Sequence, residues 1–405
     1  MKRVLSLLLV CLIVLSPTAV FAQSDSTMPV ICGDLDEETC DLLHQSQAAM
    51  KEVASSVQNT EFQLSMQNAP QFPVKDASVD LNVAQVTYVD TEYMKEVETM
   101  MLGASEAMAD DMEGFMEDYM AAIAGVYSHL SLDMEMDIEL SEEIAEFASD
   151  QAGFDVPTNL ATDIRLVDGI LYINLDDISS AMPDLGIPTG WFGVEIAALM
   201  EEQMAKAAEE MANPSEEMQA QMASMMMGMS FANMGQNEEL VDALNQIVVM
   251  ERMDDTEVNG TAVAEVVGVV DFTALLTNET ILNLVFEVLK NSGQDIPELD
   301  SMDPAEVAGM LQLVAPMLTQ GLDWTQTQHI GLEDSLVYGT AIDMTWDMSS
   351  VLQLAAVGMG GKPAKRSKDK TVFEMHVASE SSDFNDAPEI SAPEEVMIIP
   401  LSELE

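Results

Sequence analysis

The chain has 405 residues, with 72 Asp plus Glu against 14 Lys plus Arg and a formal net charge of −58 at pH 7. So anionic a chain excludes nucleic acid as a ligand, because the phosphates would be repelled. With 48% hydrophobic residues it is also no disordered acidic tail, since it has ample material for a core.

Lys2 and Arg3, the apolar run LSLLLVCLIVL and the small-residue end PTAVFA have the layout of a secretory signal peptide over residues 1–22, with cleavage expected after Ala22. Cys11 lies inside the apolar run behind Val10, where a lipoprotein signal places a small residue, so no lipid anchor is expected. No later stretch has the roughly 18 uninterrupted apolar residues of a membrane-spanning helix. The remaining chain, 23–405, is expected to be a soluble extracytoplasmic protein, secreted or periplasmic, and a single domain, since no linker-like composition divides it. Cys32 and Cys40 then form an even pair in an oxidising compartment, and a disulfide is expected. A metal pair is disfavoured because no further Cys or nearby His completes a set.

A helix is expected from Glu37 to Ser56, with Leu42, Leu43, Ala49, Met50 and Val53 near one side. EFQLSMQ and ASVDLNVAQVTYV alternate as strands, the second slipping phase near Ala84 as a bulge would. A helical insertion runs from about Glu92 to Ala124. In LSLDMEMDIELS, Leu132, Met134, Met136, Ile138 and Leu140 share one face of a strand, and Asp133, Glu135, Asp137 and Glu139 share the other. Asp168-Gly169 and Asn259-Gly260 read as two-residue hairpin turns, because both central positions need positive φ. A long helical block is expected from Val194 to about Val249, with further helices at 273–290 and 304–319. Two strands close the pattern, one placing Ile342, Met344, Trp346 and Met348 on a single face, the other Phe373, Met375 and Val377. About nine one-sided strands with inserted helices indicate an α+β fold, with one large antiparallel sheet whose apolar face helices cover. An acidic shell over such a core suits high ionic strength, and a saline habitat is expected on that ground.

The four histidines, His44, His129, His329 and His376, occur singly, and His376 is expected on the solvent face. No HExxH, G-x-S-x-G, P-loop or CxxC is present, so no enzyme, cofactor or metal site is expected. Methionine is unusually frequent at 34 residues, with Met108, Met112, Met116 and Met120 at i, i+4 and a second cluster from Met200 to Met234. These clusters admit three readings: thioether ligands of a copper carrier, an adaptable apolar surface, or ordinary core stripes. Copper loses ground because Met134, Met136, Met344 and Met375 fill strand core positions too. The stretch GKPAKRSKDK carries Lys362, Lys365, Arg366, Lys368 and Lys370. It admits docking on anionic headgroups or on a protein partner, and equally a solvated loop.

The order of elements then becomes informative. An N-terminal helix LLHQSQAAMKEVASSVQNTEFQLSM, one-sided strands, the VDGILYINL hairpin, GVVDFTALL and the closing SSDFNDAPEISAPEEV together resemble the LolA/LolB-like carriers, above all the LppX/LprG group of lipid-carrier lipoproteins. The resemblance implies an unclosed antiparallel half-barrel with helices over its concave face, an apolar cavity for acyl chains, and carriage of a lipid or other amphiphile without catalysis. The residues it points to as cavity lining are Leu132, Met134, Met136, Ile138, Leu140, Ile342, Met344, Trp346, Phe373 and Met375. The alternatives are an envelope or secreted protein that uses the same fold, with a filled core, for structural or partner contacts, and a Met-based copper carrier.

Overall fold

A computed structural model describes residues 30–68, 74–103, 112–196, 238–284, 304–352 and 370–398. The signal-like segment, the methionine cluster from Met200 to Met234, and Lys362, Lys365, Arg366 and Lys368 lie outside the described residues.

The turn chemistry acts as expected. Asp168 and Gly169 take φ of 51° and 75°, and Asn259 and Gly260 take 51° and 85°. The first pair closes β4 (Asn159–Val167) onto β5 (Ile170–Asn174), and the second closes β8 (Thr256–Val258) onto β9 (Thr261–Val270). The other strands are β1 (Ser55–Gln67), β2 (Ala77–Val89), β3 (Leu130–Leu140), β6 (Trp191–Glu195), β7 (Val248–Arg252), β10 (Leu322–Gly331), β11 (Val337–Asp347), β12 (Val372–Ser382) and β13 (Val396–Ile398). They form one 13-stranded sheet in the order β13-β6-β5-β4-β3-β2-β1-β12-β11-β10-β9-β7, with β8 beside β9. Neighbours run antiparallel except β13, which pairs in parallel with β6. The sheet is not closed, and the α+β architecture is a half-barrel.

The α-helices are α1 (Glu37–Met50), α2 (Thr91–Leu102), α3 (Met112–Val126), α4 (Glu142–Ala152), α5 (Asp176–Ala181), α6 (Glu238–Ile247), α7 (Phe272–Thr277) and α8 (Pro304–Leu318), with further helical residues at 279–284 and 349–352. Three expectations are corrected. Helix α1 stops at Met50 rather than Ser56, because Ser55 already pairs with Tyr88 in the sheet. The helical block from Val194 to Val249 begins and ends in strands: Phe192 and Val194 pair with β5, and Val248 to Arg252 pair with β9, so sheet pairing of aromatic and β-branched residues overrides helical periodicity. No bulge occurs near Ala84, since β2 pairs without interruption on both sides, which carries Gln85 and Thr87 onto the buried face.

Two clusters of buried side chains occupy the apolar face. In the larger, Leu132, Met134 and Met136 pack with Ile164, Leu166, Ile173 and Phe192 under Leu175 and Ile178 of the α5 region. In the smaller, Leu43 of α1 packs on Val266 and Ile330. The Cys32–Cys40 disulfide, with Cα atoms 5.3 Å apart, ties the start of α1 to the preceding turn. The backbone N–H groups of Cys32 and Gly33 donate to Oδ1 of Asn245 on α6, each at 2.9 Å.

Candidate ligand-binding face

Strand register decides which side chains share a face. Ile138, Leu81, Phe62, Val377 and Ile342 form one row across β3, β2, β1, β12 and β11. Leu140, Val79, Leu64, Met375 and Met344 form the next, and Met66, Phe373 and Trp346 the one beyond. Met136 and Met134 lie on the same face, so all ten residues singled out in the sequence are on one side of the sheet. Their burial divides them. Leu132, Met134 and Met136 are 3%, 6% and 5% exposed and belong to the packed cluster, whereas Ile138, Leu140, Ile342, Met344, Trp346, Phe373 and Met375 are only half-buried.

A neutral polar row borders this half-buried belt. Gln85 on β2 donates from Nε2 to Oε1 of Gln58 on β1. Gln58 in turn donates to the Ser379 hydroxyl on β12 at 2.6 Å, and the Thr60 hydroxyl donates to the same oxygen at 3.2 Å. Gln85 and Ser379 are buried, Gln58 between them is half-buried, and each is partnered, as buried polar groups must be. Sequence reasoning missed this row by taking the polar residues after Val83 as a change of phase. The available signal was that Gln85 and Thr87 keep the period of Leu81 and Val83.

At the other border the belt meets α7 and α8. The Trp346 indole donates to the carbonyl of Leu318, at the end of α8, at 3.1 Å. Trp324 meets Phe272 edge-on with centroids 6.4 Å apart, and the hydroxyls of Thr273 and Thr319 are 2.7 Å apart. Trp346 is thus both a member of the belt and a carbonyl partner of the helix beside it.

The opposite face carries the carboxylates. Asp80 stands opposite Glu139, and Glu135 opposite Asp163, like charges in direct cross-strand register. The bases present are used in pairs: Arg165 with Asp133 at 3.0 Å, His376 with Asp343 at 2.7 Å, His329 with Glu265 at 3.8 Å, and Lys370 with Asp347 at 2.9 Å. His376 is therefore on the carboxylate face, as expected. The hydrogen bond from Lys370, with help from Ser349, holds the Asp347 carboxyl below its ordinary range. A depression of about 420 Å³ lies on this face, lined by Asn59, Glu61, Asn82, Glu135, Asp137 and Glu380 among others. Near the sheet's far end, Arg165 also lies over the Trp191 ring at 5.1 Å and donates to the Ser391 carbonyl at 3.4 Å.

His44 lies within 4.8 Å of the sulfurs of Cys32 and Cys40, a proximity that the i, i+4 spacing of Cys40 and His44 on α1 sets and that the sequence reading passed over. Those sulfurs are bonded to each other, so neither is a thiolate that could bind a metal. Among the described residues no helix is long and apolar enough to cross a membrane.

No protein-family model matches the chain. No curated protein matches it in sequence. Among solved structures it is similar to the lipoprotein LppX of Mycobacterium tuberculosis, at 8% identity and a TM-score of 0.27, covering 88% of this chain and 100% of that one. It is also similar to LprF of Mycobacterium bovis, at 9% identity and a TM-score of 0.26, covering 88% and 97%.

Proposed function

We propose that this chain forms a single extracytoplasmic half-barrel domain that binds and carries a lipid or other amphiphile, without catalysis. The observation that supports this reading is the row pattern Phe62, Val377, Ile342 and Leu64, Met375, Met344. It is continuous and apolar over three strands, half-buried, and bordered by neutral polar side chains. Ligand sites have this composition, mostly apolar with a few placed polar groups that orient the ligand. The signal-like N-terminus and the disulfide support export.

The test has two parts. Organic extraction and mass spectrometry of the natively purified protein should release a lipid. Delipidated protein titrated with fatty acids and lysophospholipids of increasing length should bind more tightly by about 0.8 kcal/mol per buried methylene until the site is full. Tryptophan emission reports the binding, and Trp346→Phe assigns the signal. Absence of both co-purified lipid and binding at any length would leave a structural or partner-contact role as the better reading. That second reading has its own support in the closed packing of Leu132, Met134 and Met136.

A further inference from the structure

Helix α8 carries the longest uncharged stretch among the described helices. One residue in five of the chain is charged, 21% in all, but none is charged from Val307 to Leu322. Ala315 of α8 is fully buried against the fold. On the outside of the same helix Leu313 is 77% exposed and Met317 47%, one turn apart and flanking the exposed Pro316. Leaving two large apolar side chains in water next to each other is unfavourable, and such pairs mark contact surfaces more often than scattered single ones do.

We propose that α8 is a bilayer-docking element that seats Leu313 and Met317 at the acyl boundary of a lipid surface. The charge distribution selects this occupant. A chain at −58 is repelled by an anionic surface, so a bilayer contact must be made where the chain carries no charge and must be driven by apolar burial. The position of α8 fits the same occupant, because the carbonyl of Leu318 at its end accepts the Trp346 indole proton, which places the helix beside the half-buried belt. The proposal rests on the carrier reading for its purpose, since a carrier must meet a membrane to load or unload.

The test uses the mature chain, flotation with phosphatidylcholine vesicles, and vesicles containing one-third phosphatidylglycerol. The parent should float with neutral vesicles equally at low and molar NaCl. It should bind the anionic vesicles less at low salt and recover in molar salt, where the screening length falls to about 3 Å. Leu313→Glu and Met317→Glu should each weaken neutral-vesicle binding by about tenfold or more. Phe147→Glu, at a lone 39% exposed site on α4, should leave it unchanged. A parent that does not float, a Leu313→Glu protein that floats like the parent, or equal loss with Phe147→Glu would each overturn the proposal. So would sedimentation showing a parent dimer that Leu313→Glu dissolves, because the occupant would then be a second copy. The fatty-acid titration is independent: binding there without flotation removes the docking element and leaves carriage standing, whereas flotation without binding supports docking and removes carriage.

Discussion

The strands β3 to β6 and the strands β1, β12 and β11 present the same face of one sheet, and their sequences alternate in the same way. In the first group the face is closed: Ile164 is 1% exposed and Leu132 3%, sealed by Leu175 and Ile178, which follow β5 directly in the chain. In the second group Phe62, Met375, Ile342 and Trp346 keep partial exposure, and a hydrogen-bonded row of Gln85, Gln58 and Ser379 borders them. Alternation therefore specifies which side chains share a face, while the cover over that face depends on what the chain places there next. A local cover gives a packed core, and among the described residues the second group is not closed to that degree.

Truncation should separate the two regions most strongly. Ile164→Ala should cost about 2–5 kcal/mol in denaturant unfolding, the range for emptying a packed site. Met375→Ala should cost less than about 2 kcal/mol while weakening fatty-acid binding, because a half-buried side chain leaves little cavity. Equal losses at the two positions would erase the distinction and, with it, the main support for carriage. Next in size is Gln85→Leu, which takes the donor from the half-buried Gln58 Oε1 while Gln58 keeps its bond to Ser379; about 1 kcal/mol should be lost, and Gln58→Leu combined with Gln85→Leu should recover part of it.

On the carboxylate face the expected effects are smaller and of opposite sign. Glu135→Gln removes a charge directly opposite Asp163 and should stabilise the protein by about 0.2–1 kcal/mol at low salt, with the two proteins converging in molar NaCl. No convergence would mean that the cost of the pair is not electrostatic. The smallest effect concerns Asp347, whose folded pKa is depressed. Its pairing with Lys370 stabilises above the unfolded value near 3.9 and is lost as pH falls through the folded value. With Lys370 largely exposed the contribution should be below about 1 kcal/mol, so melts from pH 7 to pH 2 should show Asp347→Asn less acid-sensitive by that margin.

Much of this architecture was readable from local chemistry. LSLDMEMDIELS declared its two faces, and the Asp-Gly and Asn-Gly turns fixed two registers. Helix α4 could have been found from Glu142 and Glu143 in its first turn and from Gly153 at its end, where φ is 77°. Ser141 precedes it as the N-cap, but its hydroxyl accepts the Ser78 N–H instead of capping the helix, a use that only the folded sheet reveals. The partner of β13 was equally hidden, because three residues carry no periodicity and their pairing with β6 is set by the route of the chain before them. For the candidate face, the shared side of Ile342, Met344, Trp346, Phe373 and Met375 followed from period two. The polar row did not, since it exists only once Gln58 and Ser379 meet across a seam between distant strands.

That seam imposes an order on synthesis. Gln58 and Ser379 are 321 residues apart, and β12 is the strand that completes the pairing of β1. At about 5–20 residues per second, roughly 15–65 s separate the appearance of one from the other. During that interval β1 has β2 but no second neighbour, an open edge of the kind that recruits wrong partners. The strand meets this wait with Glu61 on its carboxylate side and, beyond β2, the charges of β3, which repel another copy of the same nascent chain. The segment after β12 then fastens the result: Asn385 bonds to Ala54 and Ser55, Ala387 to Tyr88, Ser391 to Arg165, and β13 pairs with the far edge at β6. A ribosome that stops before Val372 therefore delivers a sheet in two unjoined pieces, however well each has formed its own turns.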